Sequence, residues 1–381
     1  MNTVAKRPIT LGAKPASAKH YQKLVAEHGS PLLVFDPDVL RQQYLALQNA
    51  LPGVALYYAV KAHPDEHIIS VIDELGGGFD VASKGEMDLL LTQKVAGRHA
   101  IHTHPIKKDQ EIKDALRFGA TTFVVDNLNE LNKLLPYRSR VGILLRISFR
   151  SSDATVDLSK KFGCDFNEAS DIVKQASTMG IHIKGLSFHV GSQCETSTKH
   201  VEAIQACGQL MSQLNQELTQ PMATLDIGGG FPADYAQQGF DIHSFCAPIR
   251  EALKKLPSDW HLLAEPGRYL IAPAVTSITS VTGKAQKGNS YWYYLDDGVY
   301  GSYSGQIFDH ATYPLQVLKT GNLFPSALSG PTCDSIDMVA ENIELPELDI
   351  GDLVIGHQMG AYTAATKTHF NSLPNAKFIC L

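Results

Sequence analysis

The chain has 381 residues, 44% hydrophobic and 19% charged, the make-up of a globular protein with room for two domains that each bury a core. A net charge of −6 offers no basic surface for nucleic acid or an anionic membrane. Six scattered cysteines without a C-x-x-C pair, no apolar run of bilayer length and no secretory leader at the start point to a cytoplasmic protein without a disulfide framework.

In chain order, residues 1–20 read as a flexible segment without function. "PLLVFD" (31–36) is strand-like and precedes a helical stretch from Pro37 to about Leu51. One pattern then recurs from 56 to 268: a short apolar, β-branched segment, a polar or glycine-rich turn, and an amphipathic helical stretch. The strand segments are "LYYAVKA", "GFDVAS", "HAIHTHP", "TTFVVDN", "VGILLRIS", "IKGLSFHVG", "ATLDIGGG" and "HLLAEPG". Helix-period stretches include 65–75, 84–93, 108–119 and 168–180. Eight strands alternating with helices predict an α/β fold built on a (β/α)8 TIM-like barrel over 36–270, with an open doubly wound sheet as the competitor. Residues 270–300 alternate apolar with polar as hairpins do, and "DLVIG" (352–356) and "AKFICL" (376–381) are strand-like. The expectation is an all-β second domain, a β-sandwich or barrel-like unit built from 1–35 and 271–381.

A barrel does its chemistry at the C-terminal ends of its strands. Here those ends carry Lys61, Asp80, His104, Asp126, Arg146, His189, Asp226 and Glu265. Asp126 and Asp226 are candidate caps for the helices that follow. The His pair in "HTH" (102–104) reads as polar residues at a strand end, and no metal site is expected. "LDIGGGFP" (225–232) lets backbone N–H groups approach an anion. "EPGR" (265–268) sets a carboxylate and a guanidinium around a tight turn, and "HVGS" (189–192) adds a hydroxyl. No P-loop and no G-x-G-x-x-G follows a strand, which disfavours a nucleotide. A phosphate site, a carboxylate beside it and a lysine closing the apolar run "YYAVKAHPD" (57–65) suggest pyridoxal 5'-phosphate. The lysine would form a Schiff base, burial would lower its pKa, and the carboxylate would keep the pyridine nitrogen protonated. An ordinary solvated strand-end lysine is the competing reading.

The motifs "YYAVKAHPD", "GFDVASKGE", "LSKKFG", "SFHVGSQ", "LDIGGGFP", "AEPGRYL", "DDGVYGSY", "GPTCDSID" and "MGAYT" occur in one order from about residue 31 to the end. By them the chain resembles the alanine-racemase-like barrel decarboxylases that use pyridoxal phosphate (fold-type III), and within them the ornithine decarboxylases. The resemblance implies that Lys61 is the Schiff-base lysine, that His189 stacks on the cofactor ring and that Glu265 pairs with its pyridine nitrogen. It places the phosphate with Ser192, Gly229, Gly230, Gly267, Arg268 and Tyr362, and sets Asp80, Glu86 and Arg146 near the lysine. Cys333 is implied as the proton donor after carbon dioxide leaves. Asp334 and Asp309 would meet the distal amine of the substrate, with Phe308 and Tyr300 lining its site. The family's Cys-Asp loop reaches into the neighbouring subunit's site, so a homodimer with shared sites is implied.

Diaminopimelate-specific relatives carry Cys-Glu-Ser where this chain has Cys333-Asp334-Ser335, and Asp309 would repel a distal carboxylate. Phe308 stands where animal-type ornithine decarboxylases carry Tyr. The activity implied first is L-ornithine to putrescine and carbon dioxide. Lysine, or a conjugated diamino acid of a siderophore or antibiotic pathway, is the alternative substrate. A non-catalytic binding protein like the antizyme inhibitors is the third reading.

Overall fold

Eight short apolar strands close on themselves in the computed structural model, which describes residues 9–12, 14–149, 154–156 and 161–381. The motif "LSKKFG" runs into residues 158–160, which lie outside the described residues, as do residues 1–8 of the N-terminal segment. The strands are β1 (Val54–Ala59), β2 (Gly78–Val81), β3 (Ala100–His102), β4 (Thr122–Val125), β5 (Gly142–Ile147), β6 (His182–Phe188), β7 (Thr224–Asp226) and β8 (His261–Ala264). All neighbours are parallel, and β8 returns to β1 with Leu262 opposite Val54, so the sheet is a closed barrel rather than an open one. Strands covered on both faces read as unbroken apolar runs. Ile143, Leu144 and Leu145 in β5 are accordingly all fully buried.

The helices predicted between the strands form at Glu66–Glu74, Lys84–Thr92, Asp109–Phe118 and Ala169–Thr178. Their starts follow side-chain capping: Asp65 accepts the amide of His67, and Ser83 that of Glu86. Asp126 and Asp226 do not cap. The helix after β4 is capped by Asn127, and Asp126 instead accepts the Gly163 amide at 2.9 Å. The helix after β7 is capped by Asp241, while Asp226 accepts the amide of Gly228 two residues on. Capping needs the residue directly before the first turn, and these aspartates still belong to the strand ends.

The barrel unit comprises 41–232 and 241–270; the second unit takes in the chain up to Leu40, Ala233–Phe240 and 271–381. The second unit is a nine-stranded mixed sheet. Its hairpin of Val275–Lys287 and Ser290–Leu295 lies in the predicted hairpin region, and Leu32–Phe35 pairs with both Val275–Lys287 and Lys377–Cys380. It is the expected β domain, with one helix packed on its sheet: Pro15–His28 lays Leu24 into a core with Leu32, Val34, Ile278, Leu353 and Ile355. Residues 1–20 are not all loose, because Ile9–Leu11 pairs in parallel with Leu315–Val317 and the helix begins at Pro15. A three-residue strand has no periodicity to read, and the helix shows its apolar side only through Tyr21, Leu24 and Val25. No helix among the described residues is long and apolar enough to cross a membrane.

Candidate active site

β1 ends at Ala59, and the turn Val60–Ala62 carries Lys61 beyond the strand. Its ammonium donates to Asp80 Oδ2, and the Thr103 hydroxyl donates to Asp80 Oδ1. The Lys61 side chain is 40% exposed, whereas that of Asp80 is wholly buried. The lysine is therefore not buried as the apolar run suggested. The strand's apolar residues go into the barrel wall, and the residue after the strand falls at its open end, where a carboxylate rather than desolvation meets the charge. Thr103, not His104, is the residue past β3 that joins this group. His104 turns aside to the Ile106 carbonyl, 2.6 Å from Nδ1. Strand alternation carries the signal for Thr103, since it points to the opposite side from His102.

Glu86 accepts the Ala82 amide at 2.6 Å and so serves the start of its own helix, while lying within the fields of Asp80 and Lys61. Arg146, near the end of β5, lies among the charges of Glu265, Asp126, Asp80 and Asp226, and burial lowers its pKa. His189 follows β6 and accepts the Gly191 amide on Nδ1 at 3.0 Å, which leaves the ring proton to Nε2. Burial, with Arg146 and Lys61 nearby, holds its pKa well below the ordinary value, so the ring is neutral. Glu265 follows β8. Burial and the neighbouring charges of Asp226 and Asp80 push its pKa well above the usual carboxylate range. Burial, with the charge of Asp80, raises Asp226 as well, against the hydrogen bonds from Glu265 and the Gly228 amide. A cation set against Glu265 would reverse that shift.

An anion cradle stands beside these groups. Gly228 and Gly230 are left-handed at φ 66° and 97°, and a Cβ on Gly230 would come within 2.8 Å of the Gly191 carbonyl. Arg268, 6% exposed, directs Nε and Nη2 to the Ser192 hydroxyl at 3.3 and 3.2 Å. The Gly267 turn is packed on the lysine's own turn: Ala59 donates to the Pro266 carbonyl at 3.1 Å, and a Cβ on Gly267 would touch Ala59 and Ala62. The barrel thus gathers an amine paired with a carboxylate, a neutral imidazole, a buried carboxyl that gains charge beside a cation, and a cradle of glycine amides, hydroxyl and guanidinium. These features match an aldehyde, a flat ring, a pyridine nitrogen and a phosphate, so the residues fit pyridoxal phosphate. Among the described residues no group of three or more His, Cys, Asp or Glu is placed to hold a metal.

The remaining predicted residues belong to the second unit. Tyr300 donates its hydroxyl to Asp334 Oδ2 at 2.5 Å and stacks on Phe370. That bond holds the Asp334 carboxyl below its usual range and pushes the Tyr300 phenol up to about 12. Cys333 is exposed, its amide donating to Asn371 Oδ1 at 3.2 Å. Phe308 ends the short helix Gly305–Phe308 and is 57% exposed; Asp309 follows it, its amide donating to the Gly305 carbonyl at 2.9 Å. Tyr362 holds a left-handed backbone at φ 54°, and its carbonyl accepts the Thr366 hydroxyl.

Barrel, β unit and lysine-centred site together define a pyridoxal-phosphate enzyme. The family model described as "Pyridoxal-dependent decarboxylase, pyridoxal binding domain" matches residues 38–272, and the chain belongs to that family. A lysine/ornithine decarboxylase of Selenomonas ruminantium is 37% identical over 356 residues, 93% of this chain and 90% of that protein. The structure of a lysine/ornithine decarboxylase from Vibrio vulnificus, complexed with cadaverine, is 51% identical with a TM-score of 0.93, covering 97% of this chain and 99% of that one. Antizyme inhibitor 2 of Xenopus laevis is 35% identical over 353 residues, 88% of this chain and 77% of that protein. The protein is a pyridoxal-phosphate-dependent amino-acid decarboxylase acting on a basic amino acid.

Proposed function

We propose that the enzyme decarboxylates L-lysine and L-ornithine to cadaverine and putrescine. The observation that carries this reading is Asp334, aimed and kept ionised by the Tyr300 hydroxyl, on the same unit as Asp309 and the exposed thiol of Cys333. Two carboxylates suit a distal ammonium and disfavour a distal carboxylate. The relatives from Selenomonas and Vibrio bear both substrates in their names, and Vibrio structures hold cadaverine in one case and putrescine in another. Ornithine alone, implied first by the sequence, is thereby widened to the pair.

Lys61 would attach the cofactor through its side-chain amine, and Asp80 would accept a hydrogen bond from that amine when it is free. Ser192, Gly229, Gly230, Gly267, Arg268 and Tyr362 would hold the phosphate. Neutral His189 would pack against the ring, and Arg146 offsets part of the carboxylate charge around it. Bound there, pyridoxal phosphate supplies the electron sink for the pair left behind by carbon dioxide. Glu265 holds a proton at the pyridine nitrogen. Cys333 delivers a proton from Sγ to the α-carbon, which balances the loss of carbon dioxide. A working thiol there needs a reducing compartment, in keeping with the cytoplasm.

The exposed apolar side chains Ile307, Phe308, Ile336, Phe370 and Leu373, all on the unit that carries Cys333, support a homodimer in which that unit serves a partner's site. Steady-state kinetics on L-ornithine, L-lysine, L-arginine and meso-diaminopimelate test the substrate. Lysine and ornithine should differ in kcat/KM by no more than about 10–200-fold, the reach of one methylene. Preference for arginine or diaminopimelate would overturn the reading. Borohydride should fix the cofactor on Lys61, and Lys61→Ala should lose both the label and turnover.

A further inference from the structure

Three consecutive glycines have no side chains with which to hold a shape, yet the turn 228–230 has all three of its carbonyls tied back. The Gly228 carbonyl accepts the Glu265 amide at 2.8 Å, and the Gly230 carbonyl accepts the Cys194 amide at 3.1 Å. The middle one, on Gly229, faces His200 Nε2 at 2.9 Å. His200 lies in helix Thr198–Leu214 and is fully buried, its ring 5.5 Å from that of Phe231 and edge-on to Phe245. A carbonyl cannot donate, so Nε2 carries the proton. Nδ1 has no partner among the described residues. An imidazole with one nitrogen left unpaired in an apolar pocket is poorly explained by packing alone, since phenylalanine would fill such a site without a polar cost.

The N–H of a trans peptide points opposite to its C=O. Pulling the Gly229 carbonyl toward the helix therefore turns the Gly230 N–H the other way. Gly230 lies against Gly191 and Cys194, which bracket Ser192, the hydroxyl bonded to Arg268. We propose that His200 is a positioning residue for the cofactor phosphate: it locks the middle peptide of the glycine turn so that the Gly230 amide stands ready for a phosphate oxygen. This rests on the reading of Gly230, Ser192 and Arg268 as the phosphate site. Burial pushes the His200 pKa down to about 4, so the neutral, donating ring persists at physiological pH.

The test titrates apoprotein with pyridoxal phosphate and with pyridoxal, for wild type, His200→Phe, His200→Gln and Arg268→Gln. It also records the ³¹P resonance of the bound phosphate and the apoprotein Tm. His200→Phe should weaken pyridoxal phosphate binding about tenfold, the scale of one hydrogen bond. It should leave pyridoxal binding unchanged and move the ³¹P resonance. His200→Gln, which keeps an N–H donor, should recover most of that loss. Equal losses for both ligands, or an unmoved ³¹P resonance in His200→Phe, would overturn the proposal. So would a fall in Tm and affinity that Gln fails to recover. If Arg268→Gln binds pyridoxal phosphate normally, the phosphate site itself is misassigned; if only Arg268→Gln weakens binding, His200 alone is.

Discussion

Asp80 shows how much one carboxylate does at the barrel mouth. One oxygen takes the Lys61 ammonium and the other the Thr103 hydroxyl, so its orientation is set from two strands at once. Such a carboxylate holds the lysine in place without burying it, which leaves the amine accessible for the aldehyde of the proposed mechanism. Cys333 poses the contrasting case, an exposed thiol whose backbone amide is held by Asn371. As a general acid it should be worth about 10²-fold or more in rate. Cys333→Ala is accordingly expected to lower diamine formation by about that factor while cofactor binding stays at the wild-type level. Loss of cofactor binding in that variant would assign Cys333 a structural role instead.

At the scale of the element, β3 and the loop after it separate two tasks. Thr103 points into the site, while His102 points outward and stacks on Phe123 at 5.8 Å. Lys107 closes the loop: fully buried, it gives its ammonium to the carbonyls of His104, Pro105 and Val124. His102 has no hydrogen-bond partner for either ring nitrogen among the described residues. Burial, then the charges of Lys107 and His104, lower its pKa to about 3. As pH falls below the free value near ~6.5, the unfolded imidazole takes up a proton that the folded one refuses until about pH 3, so stability drains away over that window. One such group contributes a slope of up to about 1.4 kcal/mol per pH unit. His102→Phe should therefore leave stability at pH 7 nearly unchanged and flatten the acid limb between pH 6 and 4 by about that slope, read by urea unfolding at each pH. An unchanged acid limb would show that the ring is solvated.

At the scale of the molecule, the residues of the proposed mechanism lie on two compact units. Lys61 and the anion cradle belong to the barrel, and Cys333, Asp334 and Tyr362 to the β unit. A homodimer with shared sites makes a quantitative forecast. Inactive Lys61→Ala and Cys333→Ala proteins, mixed and allowed to exchange subunits, should regain up to about a quarter of wild-type activity. Random pairing makes half the dimers mixed, and each of those has one intact site. No regain after proven exchange would mean that each chain completes its own site.

The sequence by itself carried the barrel, because strands buried on both faces must read as apolar runs and each ends where chemistry can sit. It also singled out Lys61, Glu265, Arg268 and the glycine turn as candidates, since those residue types at strand ends have few structural uses. Local reading failed where a residue's role depends on what lies across space. Asp126 and Asp226 read as helix caps yet serve backbone amides elsewhere; among the polar strand ends His104 stood for β3, whereas its neighbour Thr103 is the one that meets Asp80. His200 lies in the first turn of its helix, 29 residues before Gly229, and no local pattern announces their bond. Ion pairs and side-chain hydrogen bonds are set by barrel closure, which brings strand ends remote in sequence to one rim; only the tertiary structure decides which of them meet.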